Sequence, residues 1–110
     1  MYARYLAHEG FRVAVARNGQ EAVDCVKQLQ PDVLVMDIQM PVLNGFDATR
    51  QIVELSVPTR VILISTAKER FFVRQAAAAG AKGFVLKDDV PRFLLPAIEA
   101  VHRGELFFKD

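Results

Sequence analysis

Three polar residues each close a short apolar run: Asp37 follows Val33-Leu34-Val35-Met36, Ser65 follows Val61-Ile62-Leu63-Ile64, and Lys87 follows Gly83-Phe84-Val85-Leu86. If these runs are parallel strands of one sheet, their carboxyl ends share a rim, and that rim is where open α/β sheets bind ligands. A carboxylate, a hydroxyl and an ammonium gathered there could take up a phosphoryl group. The carboxylate would attack, the hydroxyl would donate to a phosphoryl oxygen, and the ammonium would offset the charge. The same three residues would also serve as solvated strand ends or as caps of the helices that follow. Spacing alone leaves both readings open.

The intervening segments carry helical spacing. Asn18-Gly19 leads into a helix with apolar positions at Ala22, Val23, Val26 and Leu29, which Pro31-Asp32 ends. Asn44-Gly45 leads into another, with Phe46, Ala48, Ile52, Val53 and Leu55 on its apolar side and Pro58 as its limit. A third runs from about Arg70 to Ala79 and stops at Gly80, and a fourth from about Pro91 to His102 ends at Gly104. Ahead of them Phe11 to Ala16 reads as a short strand. Tyr2 to Glu9 reads as the last two turns of a helix stopped by Gly10. Continuous apolar runs are what a parallel strand covered on both faces requires. The alternation therefore predicts an α/β fold, a doubly wound parallel sheet with helices on both faces.

Composition narrows the possibilities further. With 110 residues, 52% of them hydrophobic and a net charge of +1, the chain suits one core and leaves no room for a second. Lys and Arg are interspersed with Asp and Glu, so no basic run marks a nucleic-acid or anionic-membrane surface. The single cysteine, Cys25, excludes an internal disulfide and a cysteine zinc cluster and fits a reducing compartment, with the cytoplasm as the expected location. The apolar runs are far shorter than a membrane span, and no signal-peptide core is visible.

Across its whole length the sequence resembles the receiver domains of two-component response regulators, flavodoxin-like in fold. Pro31-Asp32-Val33-Leu34-Val35-Met36-Asp37-Ile38-Gln39-Met40-Pro41 is similar to the family's acceptor strand and loop. Asn44-Gly45 is similar to the turn that follows, and Ala79-Gly80-Ala81-Lys82-Gly83-Phe84-Val85-Leu86-Lys87 to the fifth-strand signature. Lys87-Asp88 and Gly104-Glu105-Leu106 point to receivers fused to helix-turn-helix output domains.

The resemblance implies that Asp37 is the phosphorylated aspartate, Ser65 the hydroxyl switch residue, Lys87 the phosphate-pairing cation and Phe84 the aromatic rotamer switch. Gln39 would offer its backbone carbonyl to Mg²⁺ and tune water access with its side chain, while Thr66 and Ala67 would flank the site. A histidine kinase would be the phosphodonor, a homodimer a possible form, and DNA a partner only through an output domain. No membrane partner is implied.

One departure lies at the front. Family members carry a first strand ending in adjacent acids that hold Mg²⁺ with the acceptor. Judged from Gly10, that strand would precede Met1, so residues 1–110 are expected to be a receiver domain without its first strand and the start of its first helix. Glu9 is the only acid before the first strand present, and it is a poor substitute. Phosphorylation of Asp37 is then expected to be weak. The missing strand would sit between Phe11 to Ala16 and Val33 to Asp37. Two outcomes are therefore expected: a strand-exchanged or edge-paired oligomer, or movement of Phe11 to Ala16 against the acceptor strand.

Other residues carry weaker expectations. Phe71 and Phe72 are adjacent in a helix and cannot both face the core, so one is either a partner-binding aromatic or a plain exposed one. His8 and His102 stand without a second metal ligand nearby in sequence and read as surface residues. Cys25 lacks the His and Asn that would make it a nucleophile. The Ala76 to Ala79 tract reads as a closely packed helix face, and Pro96 is expected to kink the last helix locally.

Against the phosphorylation switch stands a phosphorylation-independent pseudo-receiver, acting as a protein-binding or dimerisation module. An aspartate-nucleophile phosphatase is disfavoured, because those enzymes place a second Asp where this chain has Gln39. The chain is not expected to be an enzyme.

Overall fold

The computed structural model describes residues 3–8, 10–38, 44–66 and 70–108, the first of these stretches by its backbone alone. Along the chain come β1 (Ala3–His8), β2 (Phe11–Ala16), α1 (Gly19–Leu29), β3 (Val33–Asp37), α2 (Gly45–Glu54) and β4 (Arg60–Ser65). They are followed by α3 (Arg70–Ala79), β5 (Gly83–Leu86), a 3₁₀ turn (Lys87–Asp89), α4 (Val90–His102) and β6 (Phe107–Phe108). The six strands form one sheet in sequence order, with β1 antiparallel to β2 and every later neighbour parallel.

Local chemistry sets the helix starts. Asn18 caps α1 by accepting from the Glu21 amide at 2.8 Å, and Glu21 reaches back to accept from the Arg17 amide at 3.1 Å. Asn44 caps α2 in the same way, accepting from the Asp47 amide at 3.0 Å. In α4 a proline occupies the first turn, where its missing N–H costs nothing. The helix continues unbroken past Pro96 to His102. Pro96 is exposed, so the Arg92 carbonyl that loses its intrahelical donor lies where water can replace it.

The sheet is covered on both faces, unequally. Leu34, Met36, Val61, Leu63 and Phe84 pack against α1, α2 and α3. Val13, Val33, Val35, Ile62 and Val85 point the opposite way, against Ala97, Ile98 and Val101 of α4. Residues alternate between the faces along each strand, as the pleat demands. Phe72 packs on the three-helix side, stacked on Phe46 at 6.4 Å, while Phe71 remains 60% exposed. Ala76 and Ala79 are the buried pair of the alanine tract, so α3 approaches the sheet with two small side chains.

The N-terminal segment departs from its expectation. Ala3–His8 is a strand, not the end of a helix, and pairs with β2 from Ala3↔Ala16 to His8↔Phe11. Gly10 makes the reversal possible with φ +85°, a conformation that other residues rarely adopt. Two turns of helix are too short to be stable alone, whereas an antiparallel partner satisfies the backbone along the outer side of β2. The inner side of β2 pairs directly with β3, from Val13↔Val33 to Ala16↔Met36. Phe11–Ala16 thus lies directly against Val33–Asp37, the second of the two arrangements expected from the sequence.

Gly45 is packed directly against backbone. A Cβ there would stand 2.8 Å from the Ile38 Cα and 2.9 Å from the Asp37 carbonyl oxygen. Both neighbours are backbone and cannot swing aside. Gly45→Ala should therefore destabilise the fold by about 1–3 kcal/mol, read from denaturant unfolding. An alanine variant as stable as the parent would show that the α2 start is not held against β3.

Candidate functional site

Asp37 is the last residue of β3, beyond four buried residues, and its side chain is 28% exposed. Lys87 follows β5 directly. Its Nζ lies 2.9 Å from Asp37 Oδ2. The two strands are not neighbours, because β4 runs between them. Their backbones are thus about 9.6 Å apart, two strand spacings, and the long lysine stem crosses that distance. Ser65 ends the intervening strand and is 1% exposed. The register sets Ile64 beside Asp37 and Ser65 beside Leu86, so Ser65 occupies the rim between the strands that carry the acid and the cation.

The structure therefore brings Asp37 and Lys87 into contact and puts Ser65 on the strand between them. Phe84 is fully buried on the three-helix face, beside Leu63 of β4. Thr66 is exposed just beyond Ser65. Gln39 and Ala67 lie outside the described residues. The chain beyond Asp37 is held by two backbone bonds, Ile38 N–H to the Ile64 carbonyl at 2.9 Å and Gly45 N–H to the Ile38 carbonyl at 3.0 Å. Gly45 thus holds the chain just beyond Asp37 as well as opening a helix. The Asn-Gly pair signals the turn in sequence, but not this contact.

Mg²⁺ is a hard cation that wants about six oxygens, usually including more than one carboxylate or phosphate. Among the described residues no three His, Cys, Asp or Glu side chains gather into a metal-holding group. Asp37 brings one carboxylate, already engaged by Lys87. The described donors do not fit the ion.

The remaining candidates have structural roles. The His102 ring stacks on Phe11 at 3.8 Å with 7° between the planes. Cys25 is fully buried, and its thiol pKa is pushed up, by burial first and by the charge of Glu21 second.

Residues 1–99 match the family described as the response regulator receiver domain. The chain is 39% identical over 92 residues to the transcriptional regulatory protein LnrK of Bacillus subtilis, covering 84% of this chain and 42% of that protein. It is 38% identical over 95 residues to the chemotaxis protein CheY of Thermotoga maritima, covering 86% of this chain and 79% of CheY. Among solved structures it is similar to the receiver domain of the response regulator NarL from Mycobacterium tuberculosis, with a TM-score of 0.76 and 34% identity over 80% of this chain and 71% of that one. It is likewise similar to a LuxR-family response regulator from Aurantimonas, with a TM-score of 0.78 and 33% identity over 84% of this chain and 66% of that one. The chain spans about half the length of the first transcriptional regulators it matches.

Two outcomes are expected. Lys87→Met should change stability by no more than about 1 kcal/mol, because the ion pair is partly solvated; a much larger loss in thermal unfolding would make the pair a structural element. Cys25 should resist alkylation in the native protein and react on unfolding. Since burial raises its folded pKa, its contribution to stability is complete below the pKa of the unfolded thiol and is lost as pH rises through the folded value. Equal alkylation rates with and without denaturant would contradict the burial.

Proposed function

This chain belongs to the response regulator receiver domain family, and on that premise we propose that Asp37 accepts a phosphoryl group from a histidine kinase and thereby switches an output. One observation carries the reading: the Lys87 ammonium stands 2.9 Å from the Asp37 carboxylate at the carboxyl rim of the parallel sheet. In the transfer an Asp37 oxygen attacks phosphorus, forming the acyl-phosphate P–O bond. The P–N bond to the donor histidine breaks, and its electron pair returns to the imidazole, which takes a proton from water. Lys87 then pairs with the phosphoryl oxygens in place of the free carboxylate, and the Ser65 hydroxyl donates to one of them. Ser65 and Phe84 are the proposed switch residues, on neighbouring strands whose register joins Leu63 to Phe84 and Ser65 to Leu86.

Receivers of this family bind Mg²⁺ for phosphorylation. Here Gln39 would contribute only its backbone carbonyl, and the described acids do not complete a donor set, so no step is assigned to the metal. With Lys87 as the cation beside Asp37, transfer is expected to be slow. The role is that of a switch rather than of an enzyme with its own substrate. Residues 1–110 act as one receiver domain in the cytoplasm, and DNA is reached only through an output domain such as the transcriptional regulators among its relatives carry. No helix among the described residues is long and apolar enough to cross a membrane.

A second reading is a phosphorylation-independent module that binds a protein or forms a homodimer. Two features favour it among the described residues: their acids form no metal-holding group, and the outer edge of β1 has no partner strand.

Acetyl phosphate with Mg²⁺ separates the two. Intact-mass spectrometry should show the gain of one phosphoryl group, slowly, and not at all in Asp37→Asn. Lys87→Met should slow the gain by about tenfold or more, the value of one charge-assisted contact. A protein that stays unmodified, or an Asp37→Asn variant labelled as fast as the parent, would leave the binding module as the function.

A further inference from the structure

A cavity of about 400 Å³ opens on the α4 side of the sheet, immediately beside Asp37 and Lys87. Its floor is Val15, Val35 and Ile64, from three adjacent strands, and Val90 and Pro91 from the start of α4 form a wall. The register places Val15 beside Val35, and Ile64 beside Asp37. Two residues lower on the same strands and the same face, Val13 and Ile62 are buried under α4, at 3% and 0% exposure. Val15 and Ile64 are only partly covered. The apolar surface thus continues past the point where the helix shields it, and it does so in a concave site of ordinary ligand size instead of on a convex surface.

The rim supplies a polar group at one end. Lys87 carries three N–H donors, and among the described residues Asp37 is the acceptor its ammonium meets. Its side chain is 57% exposed, so further donors reach the cavity mouth. A ligand ammonium would face Lys87 across the already engaged Asp37 oxygen, and a neutral head would gain only a weaker bond. A carboxylate would gain a charge-assisted one while Lys87 stays between it and Asp37.

We propose that this cavity binds a small monocarboxylate with a compact apolar body, which lies on Val15, Val35 and Ile64 and pairs its head with Lys87. The cavity shares Lys87 with the proposed phosphoryl site, but binding requires neither a phosphodonor nor a modified Asp37, so its failure would leave the phosphorylation reading untouched.

Octanoate, octan-1-ol and octylamine, titrated separately into the unmodified chain, distinguish the head groups on one apolar tail. Octanoate should bind saturably and shift the methyl NMR signals of Val15, Val35 and Ile64. Lys87→Met should weaken octanoate by about tenfold or more, in line with a lost charge-assisted bond, and leave octan-1-ol unchanged. Val15→Phe, which fills the floor, should abolish binding of both without loss of cooperative unfolding. Octanoate binding no tighter than octan-1-ol or octylamine would overturn the assigned head group. Shifts confined to other methyls, or none up to millimolar ligand, would overturn the site.

Discussion

Val33 to Met36 are buried almost completely, and every amide and carbonyl along them must find a partner within the protein. β4 meets one side of this strand over Val33↔Arg60 to Asp37↔Ile64, and β2 meets the other over Val13↔Val33 to Ala16↔Met36. That double pairing makes β3 an interior strand and carries Asp37 to the rim at a defined height. β2 in turn would be an edge with unsatisfied backbone, and the reversal at Gly10 supplies β1 to cover it. The N-terminal segment is a strand because β3 needs a neighbour and that neighbour needs one as well.

Unequal cover follows from the same arrangement. Three helices pack on one face and α4 alone on the other, so the apolar stripe of the second face outruns its helix. Where it outruns it, beside Asp37 and Lys87, the cavity opens. The charged pair and the apolar floor are thus consequences of one packing pattern, and they meet because strands β2, β3 and β4 end at nearly the same level.

The energetics of the rim differ from those of the core. The Asp37–Lys87 pair is partly solvated and holds little of the fold together. Gly45 beside the Ile38 and Asp37 backbone is the opposite case: no charge is involved, yet a single methyl there has nowhere to go. Chemistry at the rim can therefore be altered by substitution without unfolding the chain, while the frame that aims Asp37 cannot.

The strand–helix alternation, the three strand-end polar residues and both Asn-Gly helix starts are legible in the amino-acid sequence, because each depends on periodicity or on a side chain bonding to its own neighbours. Asp37, Ser65 and Lys87 could be singled out since a polar residue closing a buried apolar run can lie only at the sheet's rim. The direction in which Lys87 reaches, across β4 to Asp37, depends on strand order and needed the tertiary structure. So did the state of Ala3–His8: Tyr2 to Glu9, with apolar groups at helical spacing, fit a helix end locally, but the unpaired backbone of β2 is satisfied only by a strand. The cavity was equally invisible, because Val15 and Ile64 read in sequence as core residues like Val13 and Ile62. Only the length and placement of α4 decide which of them it covers.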